Sequence, residues 1–199
     1  MLQYRQVRNV KNAFIERIEE NPIIASVKND EGLKLCLTTD VGVVFILYGD
    51  LCSLPTIVRQ VRESGRLAIV HVDLIAGLSS DEAAIDYIKN VAHADGIITT
   101  KHNLIVYGKK VGLYTIHRYF VLDSLALKNI EKQTKTKVHP DLIEVLPGVI
   151  VPKLFRKITS ISEVPVMAGG LITEKEDVIN ALKNGVIAVS TTNQSIWFM

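Results

Sequence analysis

Eight short apolar runs, separated by helical patterns, constrain the fold more than any other feature of this chain. They are Ile23–Val27, Val43–Leu47, Leu67–Asp73, Gly96–Thr99, Gly112–Ile116, Leu142–Leu146, Val164–Ala168 and Ile187–Ser190. Each is rich in Val and Ile and apolar at consecutive positions. That pattern predicts parallel strands buried on both faces. Strict strand–helix alternation leaves a closed (β/α)8 barrel or an open doubly wound sheet. Eight units without a Gly-x-Gly-x-x-Gly turn after the first strand favour the TIM-like α/β barrel. Such barrels start at roughly 200 residues. A chain of 199 residues, 48% of them hydrophobic, therefore predicts one compact domain over 1–199 with short loops.

Helix punctuation supports this reading. Ser79-Ser80-Asp81-Glu82 and Thr173-Glu174-Lys175-Glu176 read as capping boxes. Gly65 and Gly185 sit where helices should end in a left-handed residue, and Pro55 suits a first helical turn. Val7, Val10, Phe14 and Ile18 recur at helical spacing ahead of the first strand. That extra N-terminal helix has two uses open to it: plugging the barrel's bottom, or pairing with a second subunit in a homo-oligomer. No run of about 18 apolar residues suggests a membrane span, and the first residues carry no apolar signal core. A cytoplasmic protein is the expectation. Cys36 and Cys52 fit no metal or redox spacing and read as reduced thiols.

In a barrel of this kind function gathers at the C-terminal strand ends, and the loops after strands seven and eight hold phosphate with backbone N–H donors. Here those loops read Val-Pro-Val-Met-Ala-Gly169-Gly170 and Ile-Ala-Val-Ser190-Thr191-Thr192. They predict phosphate contacts at Gly169, Gly170, Ser190, Thr191 and Thr192, although the glycines also fit a tight turn and the hydroxyls a helix cap. Lys28, His71, Asp73, Lys101 and Glu144 are polar residues at the remaining strand ends. Burying such groups costs several kcal/mol, roughly 2–7, unless they are paired. Together they suit a ligand bearing hydroxyls and a phosphate. No nucleophile elbow, zinc-protease motif or Walker loop is present, so no catalytic residue, resident cofactor or metal is assigned. Asp50, Asp73 and Glu144 have no specific metal spacing. An enzyme on a small phosphorylated polyol or sugar, with Asp73, Glu144 or Lys101 as working groups, is the alternative.

The strand-end strings, taken in order, resemble the glycerol uptake operon antiterminator regulatory proteins. They are Gly49-Asp50-Leu51, His71-Val72-Asp73-Leu74-Ile75-Ala76-Gly77-Leu78, Asp95-Gly96-Ile97-Ile98-Thr99-Thr100-Lys101, Ile116-His117-Arg118-Tyr119-Phe120-Val121-Leu122-Asp123-Ser124, Ile143-Glu144-Val145-Leu146-Pro147-Gly148, Ala168-Gly169-Gly170-Leu171-Ile172 and Ala188-Val189-Ser190-Thr191-Thr192-Asn193. The resemblance covers nearly the whole chain. It implies a (β/α)8 barrel that senses glycerol 3-phosphate and, with ligand bound, acts on the leader of a messenger RNA, lets transcription pass a terminator and stabilises the transcript. It places the phosphate on the glycine and hydroxyl loops and the glycerol on His71, Asp73, Lys101 and Glu144. Two departures stand out. His117 occupies a position associated with glutamine in the family, and the chain ends at Trp197-Phe198-Met199 with room for only a short final helix.

An RNA partner needs positive charge. Residues 101–160 hold 11 Lys/Arg against 4 Asp/Glu, whereas residues 1–100 hold 10 against 13. Lys109, Lys110, Lys153, Arg156 and Lys157 are the expected RNA contacts, with Tyr107 and Phe155 as stacking surfaces. The same residues also fit ordinary solvated helix faces. A partner protein of the transcription machinery is a third reading.

Overall fold

A computed structural model describes residues 13–133 and 136–199. The strands are β1 (Ile23–Val27), β2 (Val43–Ile46), β3 (Leu67–His71), β4 (Gly96–Thr99), β5 (Tyr114–Phe120), β6 (Leu142–Leu146), β7 (Val166–Gly169) and β8 (Ala188–Thr191). All are parallel and pair in chain order, and β8 returns to β1 with Ile24 opposite Ser190. Closure leaves no open sheet edge. The helices are α1 (Ala13–Glu20), α2 (Asp30–Cys36), α3 (Leu54–Glu63), α4 (Glu82–Asn90), α5 (His102–Lys110), α6 (Ser124–Gln133), α7 (Pro152–Ile161) and α8 (Lys175–Lys183). Each of α2 to α8 follows the strand of one lower number. After β8 comes only a 3₁₀ turn, Gln194–Phe198, which packs Ile196 and Trp197 against β1 and α2.

Two cores result from the alternation of side chains along each strand. Ala25, Val44, Val70, Ile97, Val145, Ala168 and Val189 point outward and pack with buried helix residues such as Leu33, Val58, Ile85, Leu104 and Phe155. Ile24, Phe45, Ile69, Ile98, Ile116, Leu142 and Met167 point inward and fill the barrel with Phe14 and Ile18 of α1. The N-terminal helix is thus a plug. Phe14 stacks on Tyr114, which begins β5, with centroids 4.9 Å apart. Val7 and Val10 lie outside the described residues.

Several boundaries differ from the sequence reading, each for a local reason. β5 begins two residues later and runs on through His117, Arg118, Tyr119 and Phe120, because β6 continues to offer partners as far as Phe120–Leu146. β3 stops at His71, and Val72–Leu74 form a 3₁₀ turn, so Asp73 is not a strand residue. The caps slide along the chain. Asp81, not Ser79, caps α4 by accepting from the Ala84 N–H at 3.1 Å, while the Ser79 hydroxyl donates to the same Asp81 oxygen at 2.8 Å. At α8 the box is Glu174 with Asp177, whose Oδ2 accepts from the Thr173 and Glu174 N–H groups. Gly65 and Gly185 do adopt φ of 81° and 96°.

Candidate functional site

One step above the inner apolar layer, the inward positions turn polar. Two residues beyond Ile24, Ile69, Ile116, Leu142 and Ala188 stand Ser26, His71, Arg118, Glu144 and Ser190. Four of them form one chain of hydrogen bonds across the mouth. Ser190 Oγ donates to Glu144 Oε1 at 2.5 Å. Arg118 Nε donates to Glu144 Oε2 at 2.5 Å, and its Nη1 donates to His71 Nε2 at 2.6 Å. Glu144 is fully buried, which its pairing with a guanidinium and a hydroxyl makes tolerable. Gly169 is the residue that admits it: a Cβ there would lie 2.3 Å from Glu144 Oε1 and 2.6 Å from Ser190 Oγ.

The same geometry fixes the state of His71. An arginine only donates, so His71 Nε2 accepts and the ring proton sits on Nδ1. Burial first, and the Arg118 charge second, push its pKa down to about 4 against the pull of Asp73. His71 is therefore neutral at pH 7. Its Nδ1 is buried without a hydrogen-bond partner, 3.9 Å from Asp73 Oδ2. That Asp73 oxygen accepts instead from Thr99 Oγ1 and the Thr100 N–H, both at 3.1 Å.

Beside this network, at the ends of β6, β7, β8 and β1, opens a cavity of about 510 Å³. Its walls include Ser26, Arg118, Gly170, Leu171, Ile172, Thr173, Ser190, Thr191, Thr192 and Asn193. Gly170 and Leu171 have φ of 76° and 60°, two successive left-handed residues. A leucine rarely adopts that conformation. The loops are knit by other groups. The Gly148 N–H donates to Gly170 O at 2.8 Å, Thr191 Oγ1 to Ile172 O at 2.7 Å, Asn193 Nδ2 to Thr173 O at 2.7 Å, and Trp197 Nε1 to Thr191 O at 2.9 Å. None of these bonds uses the N–H of Gly170, Leu171 or Thr192 as donor. Main-chain donors and hydroxyls on a concave wall, with a guanidinium at one side, are groups of the kind that can hold an anion.

The structure sorts the residues read from the sequence. Gly170, Ser190, Thr191 and Thr192 line the cavity. Gly169 does not; it is buried against Glu144. Glu144, expected to touch the ligand, lies wholly behind Arg118 and Ser190. Lys28 and Lys101 are exposed and line no part of this cavity: Lys28 stands just past β1, and Lys101 precedes the first turn of α5. Asp50, exposed, spends Oδ1 on the Cys52 and Ser53 N–H groups and on Ser53 Oγ. Among the described residues no group of three His, Cys, Asp or Glu side chains is placed to hold a metal ion. Arg118 and Ser26 were missed. Counting by twos inward from Ile116 and Ile24 would have found both.

The five expected RNA contacts fall into two sets. Lys109 and Lys110 end α5, whereas Lys153, Arg156 and Lys157 lie on exposed positions of α7, with α6 between them. Lys109 pairs with Asp141 at 2.7 Å, Lys110 sits 5.1 Å over the Tyr107 ring, and Arg156 Nη1 donates to Asn184 Oδ1 at 2.5 Å. Phe155 is fully buried and offers no stacking surface, because it faces the outer core. Tyr107 is half-buried and its hydroxyl bonds the Asp86 carboxylate.

Behind the wall, outward from β5, lies a second imidazole. His117 Nε2 donates to Thr100 O at 3.1 Å, because a carbonyl can only accept, and Tyr119 Oη donates to His117 Nδ1 at 2.9 Å. Burial drives the His117 pKa down to about 4 and raises that of Tyr119.

Comparison with known proteins agrees with this fold. The profile of a family described as glycerol-3-phosphate responsive antiterminator matches residues 23–197. The crystal structure of a glycerol uptake operon antiterminator regulatory protein from Listeria monocytogenes str. 4b F2365 superposes with a TM-score of 0.83 at 34% identity, covering 89% of this chain and 95% of that one. A glycerol uptake operon antiterminator-related protein from Thermotoga maritima MSB8 gives 0.77 at 33% identity, over 89% and 98%. An uncharacterized protein of Escherichia coli K12, YgcP, is 39% identical over 92% of this chain and 95% of its own. Orotidine 5'-phosphate decarboxylase from Pyrococcus horikoshii OT3, at 17% identity and a TM-score of 0.66 over 88% of this chain and 90% of its own, shares the fold alone.

Proposed function

The chain belongs to the glycerol-3-phosphate responsive antiterminator family, and we propose that it binds glycerol 3-phosphate at the β7/β8 mouth and, when loaded, engages the leader of a messenger RNA. The cavity beside Arg118 carries this reading. Its polar wall is built of loop amides and hydroxyls suited to a phosphate, and its deeper acid and imidazole are held by Arg118 rather than aimed at a substrate. On this reading Gly170, Thr192 and Ser190 contact the phosphate. Thr191 shapes the loop through Ile172 O and Trp197. Gly169 acts at one remove by making room for Glu144.

The RNA surface starts from α7. Lys153, Arg156 and Lys157 follow the loop whose Gly148 bonds Gly170, so they lie closest in the chain to a group that touches the ligand loop. Lys109 and Lys110 contribute only if RNA also reaches the far end of α5. Bound RNA lets transcription pass a terminator and protects the transcript. The cation count predicts a steep fall of affinity with salt.

Calorimetry with glycerol 3-phosphate tests the ligand half. The wild-type protein should bind it, and Gly170→Asp, which sets a carboxylate in the anion site, should lose about 100-fold, or roughly 2.7 kcal/mol. Unchanged affinity in that variant would refute the placement. Filter retention of leader RNA tests the other half: retention should require the ligand and weaken as salt rises. RNA binding indifferent to ligand, or consumption of glycerol 3-phosphate by the purified protein, would overturn the regulatory reading.

A further inference from the structure

Arg118 is the only charged side chain on the cavity wall among the described residues, and it does not face the cavity with a free charge. Its Nε lies 2.5 Å from a carboxylate that is fully buried. An anion arriving at the β7/β8 loops therefore meets a guanidinium already neutralised from behind. The carboxylate cannot move away, because the Ser190 hydroxyl holds its other oxygen at 2.5 Å and Gly169 leaves it a fitted slot. Ser190 itself lines the anion cavity. One acid thus occupies two of the groups best placed to hold a phosphate.

We propose that Glu144 is an internal competitor of the ligand's phosphate, a residue that sets the affinity of the site downward. The inference rests on the anion site proposed above. Glu144 takes no part in direct contact: no oxygen of a residue with 0% exposure reaches the cavity. It acts through Arg118 and Ser190, and it repels the ligand's negative charge. A sensor needs this arrangement more than an enzyme does. A site with an unopposed arginine and a full set of amides would stay filled by any phosphate in the cell. One opposed by a fixed acid is filled only when the organic part of the ligand adds its own contacts. The polyol contacts set the ratio of the two affinities; the competitor lowers both, so that inorganic phosphate leaves the site empty at concentrations where glycerol 3-phosphate still fills it.

The sign of the expected effect distinguishes this role from that of a ligand contact. Glu144→Gln keeps the shape, and its amide can accept from Arg118 and donate to Ser190. Removing a contact would weaken binding; removing a competitor must strengthen it. Calorimetry on the wild-type protein and Glu144→Gln should show inorganic phosphate and glycerol 3-phosphate both binding about 10-fold tighter in the variant, an effect of the size expected for one nearby like charge. Affinity should also fall more steeply with salt in the variant, because its guanidinium is unopposed. A purely structural role for Glu144 would not change the salt slope in that direction. The pair Arg118→Lys and Arg118→Lys/Glu144→Gln repeats the comparison should the single variant not fold, and the double variant should again bind tighter. Equal or weaker phosphate binding on removing the acid, in a protein that still melts cooperatively, overturns the competitor role alone. Failure of the wild-type protein to bind glycerol 3-phosphate overturns the anion site as well.

Discussion

The two ends of this barrel are built by the same strands to opposite specifications. At the lower end the inward residues are Ile24, Ile69, Ile116 and Leu142, closed off by Phe14 and Ile18. One layer higher the same strands turn in Ser26, His71, Arg118 and Glu144. The lower layer needs only shape, and any well-packed apolar set serves. The upper layer has to pair its polar groups, and His71, Arg118, Glu144 and Ser190 become one network in which the loss of a member strands the rest. Stability is therefore local at the bottom and collective at the top. The cavity of the proposed ligand lies where the collective end meets solvent.

The largest effect expected from this contrast lies at the bottom. Phe14 is fully buried and stacked on Tyr114. Phe14→Ala removes the plug and should cost about 3–5 kcal/mol of unfolding free energy. Affinity for glycerol 3-phosphate should stay within about 2-fold of the wild type. Urea unfolding and calorimetry on the same preparation check both. If affinity falls in step with stability, the two ends are not separable.

A smaller change at the top should do the reverse. Gly169→Ala adds one methyl group, but it would stand 2.3 Å from Glu144 Oε1. Forcing an atom into that slot should cost about 1–3 kcal/mol of stability. It also displaces Glu144 and Ser190 from each other, so ligand affinity should change by 10-fold or more, well beyond what the plug variant shows. A variant with reduced stability and wild-type affinity would mean that the network is only a packing device.

Much of the lower end was legible in the sequence, and less of the upper. A run such as Val43–Leu47 announces itself because both faces of the strand are apolar. Phe14 and Ile18 announce a helix by their spacing, but only the packing of both into the inner core makes it a plug. The β7 and β8 loops were found by their place in the barrel. The network was not found, because its bonds join residues far apart in the chain: Glu144 is 26 residues from Arg118 and 46 from Ser190. Arg118 stands beyond the apolar run that ends at Ile116, although Tyr119 and Phe120 continue the β-forming character of β5. Lys28 and Lys101 stand out in the sequence for their charge and their nearness to strand ends. Side-chain direction decided otherwise, since both stand in the connections that follow their strands.

His117 offers the finest division between wall and mouth, and an effect that vanishes at neutral pH. Both buried imidazoles, His71 in the mouth and His117 behind the wall, have pKa values near 4, below the ordinary 6.5, mainly because burial disfavours their charged forms. The unfolded chain takes up these protons first as pH falls. The stability they support is thus complete above about pH 6.5 and is lost progressively as pH falls towards 4. By pH 5.5 each should have cost roughly 1 kcal/mol relative to pH 7. In His117→Gln the amide N–H can donate to Thr100 O and its oxygen can accept from Tyr119 Oη, which reproduces both bonds of the imidazole without a titrating group. Urea unfolding at pH 7 should therefore place the variant within about 0.5 kcal/mol of the wild type. At pH 5.5 the variant should be the more stable by about 1 kcal/mol, with the remaining acid sensitivity left to His71 and the carboxylates. Ligand affinity at pH 7 should not move, because His117 faces away from the cavity that Arg118 lines. Parallel stability curves for the two proteins would mean that His117 is already protonated in the folded wall, and the division between wall and mouth would then have to be redrawn around a buried charge.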